Sequence, residues 1–254
     1  MAITIKSERE IELMAEAGKI LERVHNELEK ALHPGMSTKD IDTLGEKIIR
    51  SYGCIPSFLN YNGYPASICV SVNQEVVHGI PDKHRIIHEG DIVSLDAGVI
   101  YKGYHSDAAR THAVGEVSEE AKKLIQVTKE CFFEGIKYAK AGNHLFDISG
   151  AIGRYAEERG YGVVRDLCGH GIGTALHEAP KIPNYEVGRK GVKLRPGMTL
   201  AIEPMINIGT YEVDWLDDDW TVVTRDGSLS AHYENTILIT EGEPRILSLT
   251  CENE

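Results

Sequence analysis

Apolar positions recur with a helical period over residues 7–32. Ile11, Met14, Ala15, Leu21, Val24, Leu28 and Leu32 share one helix face, and Ser7 with Glu10 supplies a capping box at its start. Pro34-Gly35 stops this helix near Leu32. Ser37 with Asp40 caps a second helix that runs to about Tyr52 and ends on Gly53. The period then changes. Gly90-Asp91-Ile92-Val93-Ser94-Leu95-Asp96 is an apolar, partly alternating run closed by a carboxylate, which reads as a strand. The second half of the chain repeats this order. A helix spans about Ser118 to Ala139, Gly142 breaks it, and Asp147-Ile148 opens another that ends near Gly160. Gly197-Met198-Thr199-Leu200-Ala201-Ile202-Glu203 is again a strand that ends in a carboxylate.

Asp96 and Glu203 lie 107 positions apart, and Gly35, Asp40, Ile41 and Gly53 match Gly142, Asp147, Ile148 and Gly160 at that same offset. His78-Gly-Ile-Pro81 and His177-Glu-Ala-Pro180 correspond at an offset of 99. Short glycine-bounded patterns recur by chance in proteins that mix helices and strands. A shared offset, a shared element order and paired polar residues together favour an internal duplication. With 254 residues the chain can bury a full core. It is expected to form one α+β domain over 1–254, built from two pseudo-equivalent halves, approximately 1–115 and 116–254.

Composition narrows the function. The net charge is −12 and no basic cluster occurs, which argues against nucleic acid as the main ligand. A local patch could still contact a larger machine. The apolar runs are too short to span a bilayer, and residues 1–20 contain no signal-peptide pattern. The cysteines Cys54, Cys69, Cys131, Cys168 and Cys251 are odd in number and scattered, which fits a reducing cytosol. Without a Cys-x-x-Cys pair, a structural zinc site is not expected. Other catalytic signatures fail as well. His88-Glu89 is followed by Gly-Asp-Ile rather than by a zinc-helix histidine, and Gly169-x-Gly171 lacks the third glycine of a dinucleotide loop. There is no Gly-x-Ser-x-Gly elbow and no Walker loop. Asp217-Asp218-Asp219 reads as a solvated loop.

The strand-end acids carry the chemistry. Burying a carboxylate costs several kcal/mol unless something pairs with it. Asp96 and Asp107 flank a hairpin whose turn falls near Tyr101-Lys102-Gly103. A turn centred there makes the two direct cross-strand partners, with Cβ atoms roughly 5 Å apart on one face. Carboxylates that close repel unless a cation lies between them. Glu203 closes its strand, Glu234 sits in Ala231-His232-Tyr233-Glu234-Asn235-Thr236-Ile237, and His170 lies in Gly169-His170-Gly171-Ile172-Gly173. A lone Asp at a strand end is ordinarily a turn former, and a lone His among glycines is ordinarily structural. The set is far more specific than its members. Five O/N ligands without a thiolate suit Mn, Fe, Co or Zn, and point to metal-assisted hydrolysis.

An Asp, a second Asp eleven positions on, a Gly-His-Gly, an Ile-Glu-Pro and a late Glu in a strand resemble the pita-bread metallopeptidases of family M24. Among them the chain is most similar to type I methionine aminopeptidases, over nearly its whole length. The most specific stretches are Ser71-Val72-Asn73-Gln74-Glu75-Val76-Val77-His78-Gly79-Ile80-Pro81, Gly169–Gly173 with His177-Glu178-Ala179-Pro180, and Asp219-Trp220-Thr221 with Ser228-Leu229-Ser230-Ala231. The resemblance implies a central antiparallel sheet covered by helices, and two divalent metal ions (Co, Mn, Fe or Zn). By it, Asp96 ligates one ion and His170 completes the other site, while Asp107 and Glu234 bridge both. Glu203 ligates the His170 ion and shuttles the proton. His78 and His177 contact substrate, His78 near the scissile nitrogen and His177 at the developing oxyanion. Phe58, Tyr61, Tyr64, Cys69, Leu176 and Trp220 form an apolar slot suited to a flexible thioether.

The implied activity is removal of the N-terminal methionine from nascent proteins and peptides, preferentially when the second residue is small. The implied setting is a cytoplasmic monomer that meets nascent polypeptide N-termini and, transiently, the ribosome, without binding nucleic acid directly or entering a membrane. Three positions depart from the family pattern. Leu176 stands where Phe is common, Phe58 where a smaller residue, often Cys, is common, and Asn235 where His usually follows the last ligand. Only 30 residues separate Glu203 from Glu234, too few for the insertion of type II enzymes, and the zinc-binding extension of eukaryotic type I members is absent, so a compact bacterial type is expected. Two rivals remain. An X-Pro-type peptidase on the same fold usually carries a large N-terminal domain, whereas here the first fold helix begins almost at once. A non-catalytic peptide- or ribosome-binding descendant would have lost ligands, and all five are present.

Overall fold

The computed structural model describes residues 2–249. In the first half, α1 (Glu8–Ala31) and α2 (Thr38–Ser51) precede β1 (Ile55–Pro56), β2 (Ile68–Val72), β3 (Glu75–Val77), β4 (Ile92–Tyr101) and β5 (Tyr104–Ala113). In the second, α3 (Glu119–Ile136) and α4 (Leu145–Glu157) precede β6 (Gly162–Val163), β7 (Gly169–Gly171), β8 (Glu178–Ile182), β9 (Thr199–Ile202) and β10 (Met205–Asn207). The chain continues through β11 (Val213–Trp215), β12 (Val222–Thr224), β13 (Ser230–His232), β14 (Glu234–Leu238) and β15 (Arg245–Ile246).

The expected caps form. Ser7 and Glu10 close a reciprocal capping box on α1, and Ser37 and Asp40 do the same on α2. Two boundaries differ. Helix α4 begins at Leu145 rather than at Asp147, because Asp147 is its N3 residue, and its carboxylate accepts from the N–H of His144 at 2.8 Å. The acid that marks a helix start can stand three residues inside it. Helix α3 stops at Ile136, short of Ala139, in a turn closed by the Ala139 N–H on the Ile136 carbonyl.

The main sheet has nine strands in the order β1-β4-β5-β14-β9-β7-β8, with β2 also on β4 and β15 also on β14, all antiparallel. Period-two alternation divides its faces. Val93, Leu95, Ala97, Val99 and Ala108 pack with Leu21, Val24, Ile41 and Ile49 of the first helix pair. Leu200, Ile202 and Ile237 pack with Leu124, Phe132, Ile148 and Ile152 of the second. The intervening residues, among them Asp96, Asp107, Glu234 and Ala201, face the other way. Two three-stranded sheets, β13-β10-β6 and β11-β12-β3, flank this layer.

Cys54, Cys69, Cys131 and Cys168 are free thiols, whereas Cys251 lies outside the described residues. Among the described residues no helix is long and apolar enough to cross a membrane.

Candidate metal centre

All five candidate ligands project from one face of the main sheet. Asp96 on β4 lies opposite Ala109 on β5, and Ala109 lies opposite Glu234 on β14. Glu203 follows Ile202, whose partner is Asn235, so it falls in the same row beside Glu234. In the adjacent row, Gly98 faces Asp107, while Thr236 faces Ala201 and Ala201 faces His170. Residues opposite one another across an antiparallel pair share a face, so these rows bring the five side chains together from strands far apart in sequence. Small residues separate them, namely Gly98, Ala109 and Ala201, and leave open space above the sheet.

The expected hairpin register needs correction. Asp96 and Asp107 are not direct partners, because the turn is the two-residue pair Lys102-Gly103, with φ of 49° and 86°, and Tyr101 faces Tyr104. Positive φ at both central residues is the geometry that matches the twist of paired strands. The shift displaces each acid's partner by two residues, so both stay on the same face as diagonal neighbours, a relation that spans roughly 7–8 Å. That gap is wider than direct pairing allows.

His170 Nε2 lies 3.5 Å from Glu203 Oε1 and 3.9 Å from Asp107 Oδ2. One ligand atom from each of Asp107, His170 and Glu234 falls within 4.8 Å of the other two. The ring is oriented by its other nitrogen. Nδ1 lies 2.9 Å from the Gly171 carbonyl, which can only accept, so Nδ1 carries the proton and Nε2 offers a lone pair to the acids. Glycine brings β7 this close to its neighbours. A Cβ at Gly171 would stand 2.2 Å from the Ala179 carbonyl oxygen, and one at Gly169 would stand 2.4 Å from that of Ala201.

Asp96 Oδ1, Asp107 Oδ1 and Glu234 Oε1 are buried without a hydrogen-bond partner, and no lysine or arginine pairs with the four carboxylates among the described residues. Burial pushes the Asp107 carboxyl up to about 8. Burial and then the Asp107 charge push Asp96, Glu203 and Glu234 up as well. Buried histidine and carboxylate donors with orphaned oxygens fit a divalent transition ion.

These shifts predict how metal-free protein responds to pH. Carboxyls raised in the folded state hold protons that the unfolded chain releases above about pH 4. Their contribution is present below that pH and is lost as pH rises through the folded values, near 8 for Asp107. Buried His170, His78 and His232 sit at about 3, 4 and 3. They act below about pH 6.5 and drop out above it. Between pH 6.5 and 8, the Tm of metal-free protein is therefore expected to fall with rising pH. Added Mn²⁺ should remove the slope by displacing the protons. Calorimetry with a chelator and with Mn²⁺ checks this, and identical slopes in both would contradict it.

A cavity of about 160 Å³ opens onto these ligands. All the candidate pocket residues line it (Phe58, Tyr61, Tyr64, Cys69, Leu176 and Trp220), together with His78, His177 and the four acids and one imidazole described above. The Tyr64 hydroxyl donates to the Gly79 carbonyl at 2.9 Å, and Trp220 meets Tyr64 edge-on at 5.1 Å and His78 at 6.2 Å. Cys69 faces Asp96 across the β2–β4 pair, and burial pushes its thiol up, so it stays protonated. Phe58 sits over Gly98, where a Cβ would come within 3.1 Å of its ring. Burial lowers His78 to about 4 and lowers His177 too, so both rings are neutral at pH 7.

Several supporting residues were not anticipated. Asn62 lines the cavity beside Tyr61, and its pairing with Gly63 is a turn signal that could have marked it. Asp218, inside the acidic loop, accepts from the N–H groups of Trp220 and Thr221 at 2.9 and 2.7 Å and so holds the Trp220 turn. Thr236 Oγ1 accepts from the Asp107 N–H at 2.9 Å and donates to the Asp107 carbonyl at 3.0 Å. Asn235 points to the helix side, where Arg110 Nη2 and Ser248 Oγ donate to its Oδ1 at 2.6 and 3.0 Å.

The model of metallopeptidase family M24 matches residues 12–241. The methionine aminopeptidase of Clostridium acetobutylicum is 58% identical over 250 residues, which cover 98% of this chain and 100% of that protein. The crystal structure of the methionine aminopeptidase from Thermotoga maritima superposes with a TM-score of 0.96 at 47% identity, covering 98% of this chain and 100% of that one. The Xaa-Pro dipeptidase from Bacillus anthracis has a TM-score of 0.77 at 27% identity, and the match covers 98% of this chain but 63% of that one.

Proposed function

Because the chain belongs to metallopeptidase family M24, with its pita-bread fold and divalent-metal chemistry, we infer that it is a metal-dependent aminopeptidase that removes N-terminal methionine. The observation that carries this reading is the placement of five O/N donors on the floor of one small, aromatic-walled cavity. Its volume of about 160 Å³ is close to the ~150 Å³ that holds one benzene ring. One terminal side chain fits, and a polypeptide loop does not. The same reading carries the preference for a small second residue.

Two ions are assigned. Asp96 would hold one and His170 the other, with Asp107, Glu203 and Glu234 completing the donor set. When bound, the ions polarise the first peptide carbonyl and bring the pKa of water toward neutrality. The chain's own groups then act as follows. Glu203 accepts the proton of the attacking water on a carboxylate oxygen and passes it to the departing amine. His177 donates a hydrogen bond to the developing oxyanion, and His78 stands beside the scissile nitrogen. Phe58, Tyr61, Tyr64, Cys69, Leu176 and Trp220 enclose the methionine side chain, where an unbranched thioether adapts to the mixed aromatic and aliphatic wall. The two halves of the domain are read as duplicated units, each giving one helix pair and one strand-end acid, Asp96 or Glu203. The physiological substrates are the N-termini of nascent chains, met by a monomer in the cytoplasm with transient ribosome contact.

Mass spectrometry of peptide digests tests the specificity. Met-Ala-Ser and Met-Pro-Ala should each lose one methionine, while Met-Leu-Ser and Ala-Pro should stay intact. Cleavage of Ala-Pro with Met-Ala-Ser intact would instead select the X-Pro reading.

A further inference from the structure

His177 is expected to donate to an oxyanion, which requires its proton on the nitrogen that faces substrate. A neutral imidazole carries one proton, and the partner of the other nitrogen decides where it sits. Here that partner is Tyr61, whose hydroxyl lies 2.7 Å from His177 Nδ1. Either atom could donate. The oxyanion role settles the choice, because a neutral ring can donate from Nε2 only when Nδ1 accepts, which makes the phenol the donor. Burial holds the phenol above its ordinary pKa, so it remains a donor at neutral pH.

The local backbone is built to present this group. Tyr61 opens a single 3₁₀ turn, Tyr61–Gly63, rich in left-handed residues, with φ of 66° at the preceding Asn60 and of 49° at Asn62 and 89° at Gly63 within it. The turn is closed by the Asn60 N–H on the Tyr64 carbonyl and by the Tyr64 N–H on the Tyr61 carbonyl, both at 2.9 Å. On its other side the His177 ring meets His170 edge-on, with centroids 4.2 Å apart. The ring is thus held between the turn and the metal centre, and Nε2 is the nitrogen left for the cavity.

The geometry points to Tyr61 as a positioning residue that holds His177 in the tautomer with its proton on Nε2, beyond its place in the methionine pocket. This rests on the assignment of His177 as the oxyanion donor.

Two measurements on zinc-loaded protein separate the proposal from that assignment. In ¹⁵N spectra of histidine-labelled wild type, His177 should show a protonated Nε2 and an unprotonated Nδ1. A protonated Nδ1 overturns the proposal without the need for any variant. Tyr61→Phe keeps the ring in the pocket and removes the hydroxyl. It should lower kcat for Met-Ala-Ser by between about 10-fold and 10³-fold, leave KM within about two-fold, and turn the His177 signal into a tautomer mixture. Tyr64→Phe loses a hydroxyl from the same cavity that bonds Gly79 instead, and should leave the His177 signal unchanged. A raised KM with unchanged kcat in Tyr61→Phe would make Tyr61 a pocket wall only, and a His177 signal altered by Tyr64→Phe would make the effect a general disturbance. If His177→Ala retains full kcat while Nε2 is protonated, the oxyanion assignment fails instead.

Discussion

Exchanging Glu203 for glutamine is expected to lower kcat by about 10³-fold or more, with the fold intact. General acid–base catalysis contributes about 10²–10⁴-fold, and this residue is also proposed as a metal ligand. Glutamine has nearly the same shape, so the strand end beyond Ile202 can keep its place. It is neutral, which matters for the metal-free protein. Burial and the charges of Asp107 and Asp96 raise the Glu203 carboxyl, so removing its charge relieves repulsion within the cluster. The metal-free variant should therefore melt no lower than metal-free wild type at pH 8. That result separates lost chemistry from lost structure. Steady-state kinetics at saturating Mn²⁺, with melting curves alongside, provide the check. A kcat within 10-fold of wild type would remove Glu203 from the proton path.

His177→Ala is expected to lower kcat by about 10²–10³-fold, the loss that follows removal of one oxyanion donor. KM should change little, because the interaction forms only as charge develops on the carbonyl oxygen. The side chain is placed for this role by its contact with Tyr61 and its edge-on approach to His170. Both neighbours come from other parts of the chain, so a missing imidazole leaves a gap at the cavity wall without dismantling the sheet. A change confined to KM would make His177 a binding residue.

Much of the architecture was legible from periodicity. The four helices announce themselves through apolar spacing and through Ser7/Glu10 and Ser37/Asp40, because capping is a local interaction within four residues. The strand-end acids were legible for the opposite reason. An apolar run that ends in Asp96 or Glu203 is costly unless something distant compensates, so the pattern advertises a site without showing its geometry. The resemblance to a known family then supplied the roles of His78, His177 and the pocket residues, all of which line one cavity. What stayed hidden depends on cross-strand register. Moving the hairpin centre to Lys102-Gly103 replaced direct pairing of Asp96 and Asp107 by a diagonal relation, and only the period of two kept them on one face. Thr236 clamps the main chain of Asp107 from 129 positions away, and Arg110 reaches Asn235 across 125. No local pattern encodes such partners. Asp218 was read as solvated, and it is exposed, yet its carboxylate also shapes the turn that delivers Trp220.

The most direct test of the central claim is metal restoration. Metal-stripped protein is incubated with Met-Ala-Ser, alone and with Mn²⁺, Co²⁺, Fe²⁺ or Zn²⁺, and the products are weighed by mass spectrometry. The account predicts no cleavage without metal and release of a single methionine once an effective ion is added. Peptide that stays intact with every ion, in protein that remains folded, would contradict it and leave a site that binds N-termini without cutting them.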